Sequence, residues 1–209
     1  MTLAADLAAG LEALGVPLDA AAREKLLAYL ALLSKWNQVY NLTAIREPER
    51  MLRQHLLDSL AVVPHTDGET VADVGSGAGL PGIPLAIARP ASRVALIESN
   101  HKKSAFLRQA VIELALANVN VLEQRVETVT PRGSYDVVIS RAFSDLAEFA
   151  MLAGPLCRPE GMLAAMKGVH PYDELGAVPT AYSIERVIRL KVPGLEAERH
   201  LVVMRALPA

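Results

Sequence analysis

Residues 71–87 read VADVGSGAGLPGIPLAI, and this stretch decides the fold of the chain. Residues 71–74 form a short, mostly apolar predicted strand, and glycine then occupies every second position from 75 to 79. A predicted helix opens at residues 80–84. Because glycine removes the side chains from a sharp strand-to-helix turn, a ligand can lie against bare backbone at the helix N-terminus. The stretch therefore predicts a small-molecule site.

Strands and helices alternate after residue 68. Five apolar runs are predicted to be strands: residues 70–74, 93–98, 119–124, 135–140 and 161–166. The fourth run is typical of a strand that is buried on both faces of a parallel sheet. Near the C-terminus, residues 188–192 and 199–204 indicate an antiparallel pair that closes the sheet edge. The pattern predicts a doubly wound α/β domain.

The residues before this region have a helical pattern. Residues 2–14 form one predicted helix, a second begins after Asp19, and a third runs from Pro48 to near Pro64. Residues 35–43 are too polar and aromatic to continue the second helix and are predicted to form a connection.

The change of pattern near residues 64–69 divides the chain in two. We predict an N-terminal helical segment over residues 1–65 and a ligand-binding domain over residues 66–209. The position of the glycine stretch places the candidate site in the second of these.

Composition limits the classes of function. Of 209 residues, 52% are hydrophobic and 4% aromatic, and the formal net charge is -2. No overall positive field therefore draws the protein to nucleic acid, and any RNA contact needs a local patch.

The single cysteine, Cys157, is predicted to be a buried thiol in a helix. No apolar run approaches the length of a membrane span. We expect a cytoplasmic protein that does not bind membranes.

The glycine stretch fits two cofactor classes. Counted from Gly77, it matches the G-x-G-x-x-G pattern of dinucleotide-binding domains, with Glu98 about 20 residues on, where an acid that binds ribose is expected. Counted from the strand end, Asp73 is followed by Gly75, Gly77 and Gly79, the pattern seen in S-adenosylmethionine-dependent methyltransferases. The second frame fits the strand end better. An NAD-dependent oxidoreductase remains the alternative.

Other predicted strands also end in candidate site residues. Glu98 ends the second strand, where its carboxylate can accept both ribose hydroxyls. Val126 and Glu127 follow the third strand, where such folds place groups around adenine. Arg141 directly follows the buried fourth strand, at the edge where the transferred group is expected to lie. These residues predict a crevice along the carboxyl edge of the sheet.

Longer motifs carry a family resemblance. They are KWN-x-x-YNLT at residues 35–43, H-x-x-DS at 55–59, DVGSGAGLPGIP at 73–84, SRA at 140–142, KG at 167–168 and ERHL at 198–201. Together they resemble the RsmG (GidB) family of bacterial methyltransferases, which modify N7 of a guanine, position 527 by the usual numbering, in 16S ribosomal RNA. The likeness covers nearly the whole chain.

The resemblance implies a class I S-adenosylmethionine-dependent methyltransferase fold, with a seven-stranded, mainly parallel sheet and an antiparallel closing strand. It implies cofactor contacts at Gly75, Leu80, Glu98, Val126, Glu127 and Arg141, to which the glycine pattern adds Asp73, Gly77 and Gly79. It also implies that three residues act around the catalytic pocket: Asn41, Arg141 and Arg199. No metal site is predicted.

The chemistry of this reaction needs little from the protein. N7 of guanine carries an in-plane lone pair, so attack on a sulfonium methyl group requires alignment and no general base. Arg141 and Arg199 suit an orienting role through O6 or a phosphate, because a bidentate grip on O6 and N7 would occupy the reacting atom. We expect 16S rRNA to be presented within the small ribosomal subunit, with no obligate protein partner. A non-catalytic RNA-binding or assembly factor remains the second alternative.

Overall fold

The computed structural model describes residues 2–143 and 145–207; Met1, Ser144, Pro208 and Ala209, which fall within the two predicted segments, lie outside the described residues. The helices are α1 (Leu3–Leu14), α2 (Ala20–Tyr40), α3 (Pro48–Met51), α4 (Asp58–Leu60), α5 (Gly82–Ala88), α6 (His101–Glu113), α7 (Leu146–Ala153) and α8 (Tyr172–Leu175). A π-helical segment, Leu52–Leu57, joins α3 to α4. The strands are β1 (Thr70–Val74), β2 (Arg93–Ile97), β3 (Val119–Leu122), β4 (Tyr135–Ser140), β5 (Cys157–Lys167), β6 (Tyr182–Arg189) and β7 (His200–Ala206).

The strands of the described residues form one seven-stranded sheet in the order β3-β2-β1-β4-β5-β7-β6. The pairs from β3 to β5 are parallel, and β7 lies antiparallel between β5 and β6. This confirms the doubly wound α/β fold with an antiparallel closing strand. Strand β1 pairs with both β2 and β4, so the chain connections diverge at its carboxyl end, where such sheets bind ligands.

Alternate residues of the buried strands point into two cores. Val71 and Ile139 face one core, which α1, α2, the π-helical segment, α5 and α6 also enter. Ala72 and Val138 face the other core, which is covered by α7. The N-terminal helices therefore share a core with the sheet and cover part of one face. No helix in the described ranges is long and apolar enough to cross a membrane.

The prediction of a connection over residues 35–43 is wrong for its first part, because α2 continues to Tyr40. Trp36 packs edge-on against Phe106 of α6, with ring centroids 5.6 Å apart, which keeps this turn of the helix on the core. The side chain of Asn37 accepts a hydrogen bond from Thr43 N–H (2.8 Å) and donates one to the Ile45 carbonyl (3.2 Å). The connection thus begins at Asn41 and is tied to the end of the helix.

Two predictions near the C-terminal half are also wrong. Cys157, predicted to lie in a helix, begins β5, since α7 ends at Ala153 and Pro155 follows in the next turn. Its thiol is partly buried, and burial raises its pKa to about 11. The first strand of the antiparallel pair covers Tyr182–Arg189, whereas residues 188–192 were predicted. A register shift between Ile184 and Arg186 interrupts the alternation of inward and outward side chains, so the sequence pattern does not show the start of the strand.

Candidate functional site

The glycine turn after β1 is held against the end of β2. The N–H groups of Gly75 and Ser76 both donate to the Ile97 carbonyl, at 2.9 and 3.1 Å. Gly75 has φ +70°, and a Cβ placed on it would lie 2.8 Å from the Cβ of Ala142. A larger residue at position 75 would therefore have both backbone strain and a clash. The turn presents bare backbone, as the sequence predicts.

Asp73 lies beneath this turn and shapes it. The side chain is fully buried, and its Oδ2 accepts a hydrogen bond from the N–H of Gly82, the first residue of α5, at 2.9 Å. A Cβ on Gly82 would come within 2.7 Å of that oxygen, so the contact depends on glycine there. Burial raises the pKa of Asp73 to about 7, opposed by the Gly82 hydrogen bond and the charge of Arg141. Asp73 thus joins the strand end to the start of α5.

Glu98 is fixed at the mouth of the turn by two backbone donors. Its Oε2 accepts from Gly77 N–H at 2.9 Å, and its Oε1 accepts from Asn100 N–H at 2.8 Å. Because each carboxylate oxygen has two acceptor positions, both oxygens keep capacity for a ligand hydroxyl. The carboxylate is therefore preorganised and still able to accept.

A cavity of about 330 Å³, here called the glycine cleft, opens beside Gly75 and Glu98. Its other lining residues are Val74, Ile97, Ser99, Gln124, Arg125, Val126, Glu127, Ala142, Phe143 and Glu148. The structure thus brings Gly75, Glu98, Val126 and Glu127 together in one lining, and their contacts with a cofactor stay a prediction. Other predicted cofactor contacts lie outside this lining: Asp73, Gly77, Gly79 and Arg141. Leu80 belongs to the buried core and does not line the cleft.

The dinucleotide frame does not match the orientation of its glycines. In that frame the second glycine, Gly79, lets the backbone approach a pyrophosphate. In the structure, a Cβ on Gly79 would point into the Ile83 side chain and one on Gly82 into the Leu96 side chain. These two glycines are required by packing between the turn and α5. The frame counted from Asp73, which places Gly75 at the cleft, describes the site better.

A second cavity, of about 350 Å³, lies on the other side of the β4 end and is here called the arginine cavity. It is lined by Ile45, Gln54, His55, Asp58, Arg141, Met166, Lys167, Gly168, Leu190, Arg199 and His200. Arg141 Nη1 lies 3.2 Å from Asp58 Oδ2, and Arg199 Nε lies 2.9 Å from Asp58 Oδ1. One carboxylate therefore holds both predicted arginines.

Three distant parts of the chain build this arrangement. Asp58 follows the π-helical segment, Arg141 follows β4, and Arg199 precedes β7. Within the π-helical segment, the Gln54 carbonyl accepts a second hydrogen bond from Arg141 Nη1 at 3.2 Å. Helices of this type are often found at functional sites. The N-terminal helical segment thus supplies a wall of the cavity.

The charges in the arginine cavity are unequally exposed. The Asp58 side chain is 3% exposed, and burial raises its pKa although both guanidinium groups oppose the shift. The side chains of Arg141 and Arg199 are 29% and 24% exposed. Among the described residues, neither Nη2 group donates to a protein acceptor. Each arginine therefore keeps donors for a ligand in the cavity.

His55 is neutral at pH 7 and structural in its contacts. Burial and the charge of Arg141 lower its pKa to about 4. Its Nδ1–H donates to the Gln54 carbonyl (3.1 Å), and its Nε2 accepts from the Thr43 hydroxyl (2.8 Å). Both ring nitrogens are thus occupied: Nε2 holds the loop after α2, and Nδ1 fixes the ring to the backbone of the π-helical segment.

Asn41, the third predicted catalytic residue, lies outside the linings of both cavities. It ends α2 in the left-handed conformation (φ 48°), is exposed, and accepts a hydrogen bond from Arg46 at 3.1 Å. The loop that follows it reaches the arginine cavity through Ile45. The role of Asn41 stays a prediction.

The two cavities meet at the end of β4. Consecutive residues, Arg141 and Ala142, line the arginine cavity and the glycine cleft respectively. The Ser140 hydroxyl donates to the Val74 carbonyl (2.7 Å) and accepts from Ala142 N–H (3.1 Å), which fixes this turn relative to β1. The walls of the two cavities are therefore adjacent at this turn.

Sequence reasoning assigned no role to Asp58, which organises the arginine cavity. A signal was present: residues 56–60 read LLDSL, and a carboxylate inside an apolar helical run needs buried cationic partners. Phe143 of the cleft and Gln54 of the cavity were also missed, and no local pattern identifies them.

The described residues contain no cluster of three or more His, Cys, Asp or Glu that could hold a metal ion.

Comparison with known proteins agrees with this geometry. A family model described as rRNA small subunit methyltransferase G (GidB) matches residues 22–202. The chain is 55% identical over 212 residues to ribosomal RNA small subunit methyltransferase G of Nitrosospira multiformis, covering 98% of each chain. It is 54% identical over 206 residues to the protein of that name from Chromobacterium violaceum, covering 98% of this chain and 99% of the other.

Solved structures show the same fold at low identity. A SAM dependent methyltransferase from Aquifex aeolicus aligns with a TM-score of 0.61 at 20% identity, over 82% of this chain and 97% of the other. The O-methyltransferase TomG from Streptomyces achromogenes aligns with a TM-score of 0.59 at 16% identity, over 92% of both chains. With the match to the family model and the identity to full-length relatives, the sequence resemblance is confirmed. The chain belongs to the rRNA small subunit methyltransferase G (GidB) family.

Proposed function

We propose that this protein transfers a methyl group from S-adenosylmethionine to N7 of a guanine, position 527, in 16S ribosomal RNA. The observation that carries the proposal is the junction of two cavities at Arg141 and Ala142. One cavity has the glycine turn and carboxylate that suit a nucleoside cofactor. The other has two arginines with unused donors, which suit a nucleotide. Family membership supplies the identity of the RNA.

The residues of the glycine cleft fit S-adenosylmethionine. Its volume of about 330 Å³ falls in the range of small-ligand pockets. Glu98 would accept hydrogen bonds from the ribose hydroxyls, Val126 and Glu127 would contact the adenine, and the bare backbone at Gly75 would accommodate the methionine end. Bound there, the cofactor supplies an electrophilic methyl group. Arg141 would complete the cofactor contacts from the adjoining wall, next to Ala142 of the cleft.

The arginine cavity is proposed to orient the guanine. Arg141 and Arg199 donate to O6 or to a phosphate and leave N7 unoccupied for attack. Asp58 fixes both guanidinium groups and compensates their charge in a buried setting. His55 is neutral and both of its ring nitrogens are hydrogen-bonded, so the proposal gives it no role as a general base. None is needed, because N7 already carries its lone pair.

The small ribosomal subunit is the proposed substrate particle, and the cytoplasm is the proposed place of action. The net charge of -2 gives no general attraction to RNA, so a folded particle that presents the guanine in a fixed geometry favours binding. The cofactor and the RNA are the proposed partners, and the proposal includes no obligate protein partner.

Incubation of the purified protein with labelled S-adenosylmethionine and small subunits that lack this modification tests the proposal. Digestion of the recovered RNA and mass spectrometry of the nucleosides should show N7-methylguanosine, and the label should map to position 527. A previously characterised family member serves as the positive control. If the control labels the subunits and this protein does not, or if the methyl group is found on another atom, the proposed function is wrong.

A further inference from the structure

Three aromatic rings form a row that runs from the wall of the arginine cavity to the protein surface. His200 lines the cavity. His170 meets His200 edge-on, with ring centroids 5.2 Å apart and an interplanar angle of 76°. Tyr172 stacks on His170, with centroids 3.8 Å apart and an angle of 26°. We call these three residues the aromatic row.

The inner end of the row is rigid. His200 begins β7, is 5% exposed, and donates from Nδ1–H to the Gly168 carbonyl at 3.0 Å. Gly168 lines the arginine cavity too. The hydrogen bond therefore ties the loop that follows β5 to the cavity wall, and His170 and Tyr172 extend the row outward from His200.

The outer end of the row is open. Tyr172 is 75% exposed although one ring face is stacked on His170, so its other face is turned to solvent. Val169 on the same loop is 73% exposed. An exposed aromatic face next to residues that line a binding cavity is able to stack on a base of a bound nucleic acid.

The contacts of His170 favour a stacking role over a polar one. Its Nδ1 is shielded from solvent and has no hydrogen-bond partner among the described residues. The contacts described for the ring are instead with the two aromatic neighbours, His200 and Tyr172. A histidine kept for a hydrogen bond or an ion pair would have its nitrogens directed to partners. His170 is therefore a spacer that supports the Tyr172 ring.

We infer that the aromatic row is a stacking platform for a nucleotide base adjacent to the target guanine, in single-stranded RNA. This inference rests on the proposed function of the arginine cavity. RNA that presents a guanine for modification must have that base unstacked, and its neighbours then lose a stacking partner that an aromatic side chain can replace. With only 4% aromatic residues in the chain, the row supplies one local platform and no extended surface.

A kinetic comparison of three substitutions at Tyr172 tests the platform on small subunits. Tyr172→Ala should raise the KM for subunits about 5- to 100-fold, the range expected for loss of one base–aromatic stack, with kcat and the affinity for S-adenosylmethionine retained. Tyr172→Leu keeps an apolar side chain but has no ring face, so it should resemble Tyr172→Ala. Tyr172→Phe keeps the ring face, so its KM should stay close to that of the wild type.

Ile112→Ala is the matched control, because Ile112 is 72% exposed on α6 and lies outside both cavity linings. If Tyr172→Leu keeps the wild-type KM, apolar contact with a protein explains the exposure, and the platform is wrong. If all three variants match the wild type, the platform is also wrong.

Co-sedimentation with the same subunits separates this inference from the proposed function. If the wild-type protein forms no N7-methylguanosine but Tyr172→Ala and Tyr172→Leu still weaken co-sedimentation, the proposed function fails and the platform stands. If methyl transfer proceeds normally and co-sedimentation is insensitive to Tyr172, the platform fails and the function stands.

Discussion

The glycine cleft and the arginine cavity adjoin at the end of β4, yet they are built in different ways. The cleft is made by the first residue of the glycine turn, Gly75, and by residues that follow neighbouring parallel strands. The arginine cavity joins side chains that are 83 and 141 positions apart in the chain, through one buried carboxylate. Backbone geometry thus defines the first site, and long-range ion pairing defines the second.

This difference predicts separate functional consequences. Changes in the cleft should weaken the affinity for the cofactor, whereas changes in the arginine cavity should slow methyl transfer at saturating cofactor. Arg141 lies at the junction and should affect both.

Arg141→Ala should have the largest effect. Loss of the junction guanidinium removes the alignment of donor and acceptor, and we expect methyl transfer to subunits to fall about 100- to 1,000-fold with the fold retained. Single-turnover assays with circular dichroism spectra measure both. Arg93→Ala, at the exposed start of β2, is the matched control and should retain activity. Unchanged turnover in Arg141→Ala would refute the orienting role.

Asp58→Asn should lower activity less, about 10- to 100-fold, because both arginines remain but lose their common counter-charge. We also expect a loss of about 2 kcal/mol in the free energy of unfolding, less than for a fully buried pair because the arginines are partly exposed. Urea unfolding and transfer assays measure the two effects. Glu185→Gln is the control, since Glu185 also contacts two arginines, Arg186 and Arg205, but on β6 and away from the cavities. Equal effects of the two substitutions would contradict the special role of Asp58.

Glu98→Gln should act on the cofactor alone. The amide keeps one acceptor oxygen and loses the charge, so the Kd for S-adenosylmethionine should rise about 10-fold, as for loss of one charge-assisted hydrogen bond. Isothermal titration calorimetry measures this, and co-sedimentation with subunits should not change. Glu113→Gln, on the exposed end of α6, should bind as the wild type does. A variant with normal cofactor affinity and impaired subunit binding would reverse the assignment of the cleft.

The two sites should also differ in how pH affects stability. The folded-state pKa of Asp73 is raised to about 7, so its contribution to stability falls as pH rises from about 4 to 7. The folded-state pKa of His55 is lowered to about 4 from 6.5, so its contribution falls as pH drops through the same range. The melting temperature of Asp73→Asn, measured relative to that of the wild type, should therefore increase as the pH rises toward 7. The corresponding difference for His55→Asn should increase as the pH falls toward 4.

The expected differences are about 2 °C or more across this range, and thermal melts at several pH values measure them. The sign of the pH dependence is the informative result. A destabilisation that is the same at every pH shifts the whole curve of melting temperature against pH and leaves its slope unchanged. Curves that run parallel to the wild type would show that neither group titrates as described.

The sequence predicted the cleft better than the arginine cavity, for a physical reason. Glycine adopts backbone conformations that other residues rarely adopt and leaves a turn free of side chains, so the alternate glycines after residue 74 indicated a ligand turn. The alternation of strands and helices indicated the parallel sheet around it. The clamp of Asp58 on Arg141 and Arg199 is a tertiary contact: the local pattern marks Asp58 as an acid in an apolar run but does not identify its cationic partners. Arg141 was predicted from its position after the fourth strand, Arg199 was implied by the family resemblance alone, and their common carboxylate was identified only in the structure.

Local errors have the same origin. Residues 35–40 look like a connection because they are polar and aromatic, but the packing of Trp36 on Phe106 keeps them helical. The prediction that Cys157 is helical failed because the helix ends before Pro155 and the thiol begins a strand. Tertiary packing in the first case, and a single proline in the second, determined a structure that the local composition did not indicate.

The central claim is that the glycine cleft binds the cofactor and the arginine cavity binds the RNA nucleotide. The affinity of Arg199→Ala for S-adenosylmethionine tests this claim most directly. Arg199 lines the arginine cavity, contacts Asp58 and lies outside the cleft lining. Isothermal titration calorimetry should give a Kd within about 2-fold of the wild type, the result expected when a substitution leaves cofactor binding intact. A Kd raised about 10-fold or more would show that the two cavities form one cofactor site, and it would contradict the account.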